Sequence, residues 1–222
     1  MYPAAVIFDF DGVIVDTEPL HYRSFQKILE PLGLGFNWED YVETYMGFDD
    51  RDAFTEAFKT SGKTLSAAQL ASLIDDKANV FQQIVAEGVS AYPGVVSLIT
   101  TLYHQGVPLA ISSGALKSDI LPILDILNIK HCFSQIITAE DVAHSKPDPA
   151  SYCLACELLE QTYTTKIANR SQIVAIEDTP AGITSAKGAG ITVIAVSNSY
   201  PQDKLNAADR VVSTLEVLQS GF

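Results

Sequence analysis

Cysteine is scarce in this chain. Only Cys132, Cys153 and Cys156 occur, an odd, small number without the spacing of a disulfide framework, which points to a reducing compartment. Cys153-x-x-Cys156 has no second ligand pair and lies in an apolar helical pattern from Tyr152 to Leu159, so it reads as two small core residues and not a redox or metal pair. Long apolar runs are also missing, since none reaches the roughly 18 residues that a membrane span requires. The opening Met1-Tyr2-Pro3-Ala4-Ala5 sets no basic residues before the first apolar run, as a secretory leader would. A cytoplasmic protein without a membrane partner is the expectation. Positive charge is short as well: 14 Lys and Arg face 27 Asp and Glu, for a formal net charge of −13. A field of that sign repels nucleic acid and anionic lipid, which argues against both as partners. It also means that an anionic substrate needs a cation or a local cluster of basic side chains.

What is present suits a packed globular chain. Of 222 residues, 47% are hydrophobic and 18% charged, enough for a real core. Ala4 to Phe8 is a short apolar run ending in acids, as a buried parallel strand would be. From Pro19 to Leu32 the apolar residues follow a helical period, and from Asn37 to Glu87 the pattern stays helical, with breaks at Gly47 and near Ser61-Gly62-Lys63 and with Ser66 placed to cap a helix from Ala67. No strand is expected between Thr17 and Glu87. After residue 88 strands and helices alternate. Helices are expected at Val95 to His104, Leu116 to Leu127 (with Pro122 in its first turns or at a kink), Ala150 to Leu159 and Ala181 to Ala189. Strands are expected at Val107 to Ile111, Gln135 to Thr138, Ile173 to Ile176, Thr192 to Val196 and Arg210 to Val212. That alternation implies βαβ units and a parallel sheet. The fold class is therefore α/β, a Rossmann-like doubly wound core of residues 1–16 and 88–222, with an all-helical domain of residues 17–87 inserted after the first strand. There is no internal repeat and no low-complexity tract.

Open parallel sheets bind ligands beyond the carboxyl ends of their strands. Asp9 and Asp11 follow the first strand, Ser112, Ser113 and Gly114 the second, and Glu177 and Asp178 a later one, with Lys146 between. Each has an ordinary alternative as a cap, a loop residue or a solvated charge; Glu177-Asp178 before Thr179-Pro180 reads equally as a helix cap. Together on one rim they make a chemical set. Clustered carboxylates repel, and a divalent cation relieves the repulsion. All-oxygen ligands without His or Cys favour a hard ion, Mg2+, which also engages phosphate oxygens. Lys146 and the Ser112 hydroxyl are placed to take further phosphate charge, and backbone N–H groups around Asp11-Gly12 and Ser113-Gly114 to do the same. A carboxylate is a competent nucleophile at phosphorus, and a second carboxyl two residues on can serve as general acid and base. Both Asp9 and Asp11 face the site only if the chain turns after the strand, which Gly12 permits.

Four segments, in order, resemble the haloacid dehalogenase-like superfamily: Asp9-Phe10-Asp11-Gly12-Val13-Ile14-Val15-Asp16-Thr17, Ile111-Ser112-Ser113-Gly114, Ser145-Lys146-Pro147-Asp148-Pro149 and Ile176-Glu177-Asp178-Thr179-Pro180-Ala181-Gly182. The chain looks most like the branch with a small helical cap, which holds phosphoglycolate phosphatases, sugar-phosphate phosphatases and β-phosphoglucomutase. The resemblance implies Asp9 as nucleophile and metal ligand, and Asp11 as general acid/base lending its backbone carbonyl to the metal. It implies Ser112 and Lys146 on the transferring phosphoryl group, Asp178 on magnesium with Glu177 beside it, and residues 17 to 87 as a mobile cap. Asp11 argues against a dehalogenase, which lacks the second aspartate. In the cap, Thr17, His21 and Lys77 match substrate-binding positions of the mutase-like branch; the mutase's cap arginine follows a glycine by three residues, whereas here Asp50 takes that place after Gly47 and Arg51, the candidate for the same substrate-binding role, stands one further on. The expected activity is hydrolysis of a small phosphorylated metabolite, such as a sugar phosphate, by a monomer or weak homodimer. The alternatives are a phosphosugar mutase using the same aspartyl-phosphate and, more remotely, an inactive binding module on the same fold.

Overall fold

The computed structural model describes residues 2–46 and 48–222, so the helix break read at Gly47 lies outside the described residues. The chain divides into two compact units, residues 1–16 with 90–222, and residues 17–89.

The first unit is built on a six-stranded parallel sheet in the order β3-β2-β1-β4-β5-β6. Its strands are β1 (Ala5–Phe8), β2 (Leu109–Ser112), β3 (Gln135–Ile137), β4 (Ile173–Glu177), β5 (Thr192–Val196) and β6 (Arg210–Val212). β1, β2 and β4 are buried along their whole length, which explains why they read as unbroken apolar runs: helices cover both faces of such a sheet. Among the described residues, the helices of this unit are α5 (Val95–His104), α6 (Lys117–Ile126), α7 (Ala150–Thr162) and α8 (Pro180–Gly188). Gly106, with φ of 69°, follows the end of α5 as a left-handed C-terminal residue does. Pro122 is the sixth residue of α6, deeper than the first turns where its missing N–H costs nothing. Tyr152, Ala155, Cys156 and Leu159 of α7 and Ile183 and Ala186 of α8 are buried against Ile7, Ala110, Ala175 and Val193. Cys156 is thus a core residue, and burial pushes its thiol up to about 12.

Chain reversal fixes the site. The first three strands step outward from β1 on one side, and β4 returns to pair with β1 on the other. The crevice at such a switch point is where open α/β sheets bind ligands.

The second unit is all-helical among its described residues: α1 (Glu18–Leu29), the short α2 (Trp38–Asp40) running into a wide turn at Tyr41–Tyr45, α3 (Asp50–Thr60) and α4 (Ala67–Val85). Ser66 caps α4 in a reciprocal box with Gln69, an arrangement that contributes about 1 kcal/mol. Phe25, Tyr41, Tyr45, Phe54 and Phe58 form its largely aromatic core, with Leu29 packed among them.

Candidate active site

Strand register assembles the site. β1 pairs with β2 through Phe8 and Ile111 and with β4 through Phe8 and Ile176. The next residue on each strand is then Ser112, Asp9 and Glu177, so three side chains far apart in sequence end level on adjacent strands. The Asp9 N–H donates to the Ile176 carbonyl at 2.9 Å, which carries the ladder up to the nucleophile candidate.

The chain then turns sharply. Gly12 N–H donates to the Val15 carbonyl, and Ile14 and Val15 both donate to Phe10. Gly12 has φ of 78°, and a Cβ there would stand 1.9 Å from Asp178 Oδ2. Only glycine allows both the left-handed turn and the close approach of the Asp178 carboxylate. Asn198 Nδ2 donates to the Gly12 carbonyl at 2.7 Å, and the Ser199 hydroxyl donates to Asp178 Oδ2.

Lys146 ties the rim together. Its Nζ donates to Asp9 Oδ1 at 2.7 Å, Glu177 Oε1 at 2.6 Å and the Ser112 carbonyl at 3.0 Å. Burial favours the neutral amine, but the Asp9 and Glu177 carboxylates hold its pKa above the ordinary ammonium range, so it stays charged. Glu177 is wholly buried and also accepts from the Tyr152 hydroxyl at 2.6 Å, the Asp178 N–H at 3.2 Å and the Thr179 hydroxyl at 3.4 Å. Thr179, not the acid pair, caps α8 by accepting from Gly182 N–H at 2.9 Å, which leaves both carboxylates for chemistry.

Asp9 is strongly perturbed by this setting. Burial pushes its carboxyl up to about 8; Lys146 opposes the shift, and the negative charges of Glu177 and Asp11 add to it. Asp9, Glu177 and Asp178 each offer an oxygen, all within 4.8 Å of one another. A cation fits this set on chemical grounds: three buried oxygen donors, one of which resists ionising, are what a hard divalent ion stabilises. The Ser112 Oγ is buried with no hydrogen-bond partner among the described residues, a donor held ready at the same rim. Ser113 turns the other way, its hydroxyl accepting from the Ala115 N–H at 3.0 Å, and Gly114 follows it in the bend after β2.

In the second unit, Lys77 has no exposure. Its Nζ meets Asp50 Oδ1 at 2.7 Å and His21 Nδ1 at 2.8 Å, with the rings of Phe25 and Phe81 each 5.0 Å away. The imidazole of His21 stacks on Phe81 at 4.3 Å. A donating ammonium makes Nδ1 the acceptor and leaves the imidazole proton on Nε2. Thr17 is buried at the start of α1, and Arg51 is exposed on the first turn of α3. So His21 and Lys77 come together with Asp50, which sequence reasoning placed there only as the substitute for an arginine.

The sequence model described as haloacid dehalogenase-like hydrolase matches residues 6–196. The chain belongs to the haloacid dehalogenase-like hydrolase family. It is 28% identical over 188 residues to the phosphorylated carbohydrates phosphatase of Thermotoga maritima, covering 84% of this chain and 82% of that protein. It is 27% identical over 220 residues to the β-phosphoglucomutase of Bacillus subtilis, covering 96% and 93%. The solved structure of CbbY from Rhodobacter sphaeroides in complex with phosphate matches at a TM-score of 0.86 and 25% identity, over 97% of this chain and 96% of that one. The family expected from the four segments and the Rossmann-like fold expected from the alternation of strands and helices are thereby borne out, and the protein is an enzyme of this hydrolase family. Among the described residues, no helix is long and apolar enough to cross a membrane.

Proposed function

We propose that the enzyme is a magnesium-dependent phosphomonoesterase that hydrolyses a small phosphorylated metabolite of the sugar-phosphate class through an aspartyl-phosphate on Asp9. The observation that carries this reading is the setting of Asp9: it is level with Ser112 and Glu177 on neighbouring strands, salt-bridged to Lys146 at 2.7 Å and within one ligand set with Asp178. The names of the relatives, a carbohydrate-phosphate phosphatase and a phosphosugar mutase, support the substrate class.

Asp9 and Asp178 would hold magnesium, with Glu177 beside them and the Asp11 backbone carbonyl completing the protein's share. Bound there, the ion supplies positive charge that lets Asp9 ionise and that offsets phosphate charge. The Asp9 carboxylate attacks phosphorus, the bond from phosphorus to the ester oxygen breaks, and Asp11 gives that oxygen its proton. Asp11 then takes a proton from water, which attacks the same phosphorus and releases phosphate and free Asp9. Lys146 and the Ser112 hydroxyl hold the equatorial oxygens as charge moves between them.

Hydrolysis is favoured over mutase action by Asp50. A mutase passes the phosphoryl group to a substrate hydroxyl and needs positive charge for a second phosphate. Here a carboxylate stands at the position of the mutase's arginine and takes up the charge of Lys77. A phosphate-release screen over phosphorylated metabolites, run beside an isomerisation assay on β-glucose 1-phosphate, tests this. Free phosphate that vanishes with EDTA and returns with magnesium is expected. Isomer without free phosphate would overturn the hydrolase reading, and indifference to chelation would overturn the metal.

A further inference from the structure

We propose that Tyr152 is a positioning residue of this site: its hydroxyl fixes Glu177, and through Glu177 it holds Lys146 ready for the phosphoryl group. The inference rests on the phosphoryl-transfer reading and adds to it a residue in the first turn of α7, not at a strand end.

Lys146 has three N–H protons, and all three have acceptors: Asp9 Oδ1, the Ser112 carbonyl and Glu177 Oε1. To meet a phosphoryl oxygen, the ammonium has to redirect one of them. The proton aimed at Asp9 is the one nearest the reacting centre, and once Asp9 is phosphorylated its charge no longer competes for it. The Ser112 carbonyl and Glu177 then remain as the two anchors that keep the ammonium in place. The first anchor is backbone and cannot swing. The second is a side chain with three rotatable bonds, and its position is only as good as the groups that hold it.

Tyr152 touches both Glu177 and Lys146. Its hydroxyl donates to Glu177 Oε1 at 2.6 Å, the oxygen that also takes Lys146. Its ring lies under the Lys146 ammonium, with Nζ 4.9 Å from the centroid, close enough for a cation–π attraction. The residue is wholly buried among Ile137, Ala155 and Cys156. Phenylalanine would serve that packing equally well, so the hydroxyl is the part that packing does not explain. A buried hydroxyl costs free energy when left unpaired, and here its partner is a carboxylate of the candidate ligand set.

Tyr152→Phe keeps the ring and removes the hydroxyl. Its kcat on p-nitrophenyl phosphate, KM and thermal midpoint as a function of added magnesium chloride should be compared with wild type. Cys156→Ala, on the same helix, serves as a variant that loosens the core without touching Glu177. Tyr152→Phe is expected to fold and to lower kcat by about 10- to 100-fold, the usual effect of removing a partner behind a ligand. KM should change less than about threefold, and the magnesium concentration giving half of the thermal shift should rise. Cys156→Ala is expected to lower the melting temperature yet leave kcat and the magnesium midpoint alone. If Tyr152→Phe keeps wild-type kcat and magnesium midpoint, or if Cys156→Ala shows the same kinetic loss, the positioning role is overturned. A wild-type enzyme without phosphatase activity would overturn the functional reading instead; the magnesium midpoint of the two proteins would still decide the role of Tyr152, an unchanged value refuting it.

Discussion

Gly182→Ala should damage both stability and turnover, although by helix propensity it ought to help. Gly182 sits in the first turn of α8, where alanine is favoured over glycine by up to about 1 kcal/mol. A Cβ at this position, however, would lie 2.0 Å from Glu177 Oε2, 2.1 Å from its carboxyl carbon and 2.1 Å from Oε1. The carboxylate must retreat by about 1 Å even to reach a tight contact. Glu177 is fully buried, so any retreat stretches its bonds to Lys146 and Tyr152, each 2.6 Å long. Hydrogen bonds with a charged partner contribute about 1.5–3 kcal/mol each. Weakening two of them outweighs the propensity gain and leaves a net loss of about 2–4 kcal/mol, or roughly 5–15 °C in melting temperature for a chain of this size. Because the same displacement moves the anchor of Lys146, kcat should fall by about 10-fold or more. Thermal melting and steady-state kinetics on one preparation read both effects. A variant that melts at or above wild type with kcat within about twofold would refute the view that Glu177 is held fast. Adding Glu177→Asp, which shortens the side chain by one carbon, should recover part of the stability and none of the activity.

Asp9→Asn should abolish phosphate release while the circular dichroism spectrum stays that of wild type, and substantial residual turnover would remove Asp9 as nucleophile. Asp11→Ala should slow turnover by at least about 100-fold, the scale of a lost general acid and base; a smaller effect would assign that proton transfer elsewhere. In EDTA, the folded state keeps a proton on Asp9 up to about pH 8, whereas the unfolded chain loses it near the ordinary carboxylate value. The folded state therefore binds more protons across that window, and stability falls as pH rises through it. Melting temperatures from about pH 5 to about pH 8 should drop more steeply for wild type than for Asp9→Asn, and parallel curves would contradict the buried acid. Lys77→Met should destabilise by about 3–5 kcal/mol, because it leaves the Asp50 carboxylate without its cation, and Asp50→Asn on the same background should restore much of the loss; additive effects in chemical denaturation would disprove the pairing.

Much of the fold is legible in the sequence because parallel strands buried on both faces leave short unbroken apolar runs, as at Ala5–Phe8 and Ile173–Glu177. The rim residues are legible for the same reason, since each polar residue ending such a run marks a strand's carboxyl end. Contacts made by side chains that helices carry are not. Tyr152 sits in an apolar helical pattern and reads as one more core aromatic; nothing in its neighbours reveals that its hydroxyl reaches Glu177, 25 residues away. Ser199 and Asn198 follow the end of β5 and meet Asp178 and Gly12, so the rule applied to β1, β2 and β4 would have found them had it been extended to β5. Lys77 reads as a substrate contact; its burial depends on Asp50 and His21 arriving from two other helices, and spacing within one helix does not encode that. Thr179, and not the acid pair before it, caps α8, a choice that the run Glu177-Asp178-Thr179-Pro180 leaves open.

The strand that bears Asp9 lies at the centre of the sheet, and both of its neighbours arrive late in the chain. Val6 is bonded opposite Leu109, and Ala5 opposite Ile173, separations of about 100 and about 170 residues. Such pairings close long loops before any gain is collected, which makes them slow to form. On a ribosome the strand that leads to Asp9 emerges before either neighbour and stays unpaired on its far side until β4, about 170 residues later, has been made. The intervening helical unit has shorter-range contacts and is free to collapse in the meantime. Assembly of the candidate rim is therefore expected late in folding, and the apolar segment Ala5–Phe8 is exposed to wrong partners until then.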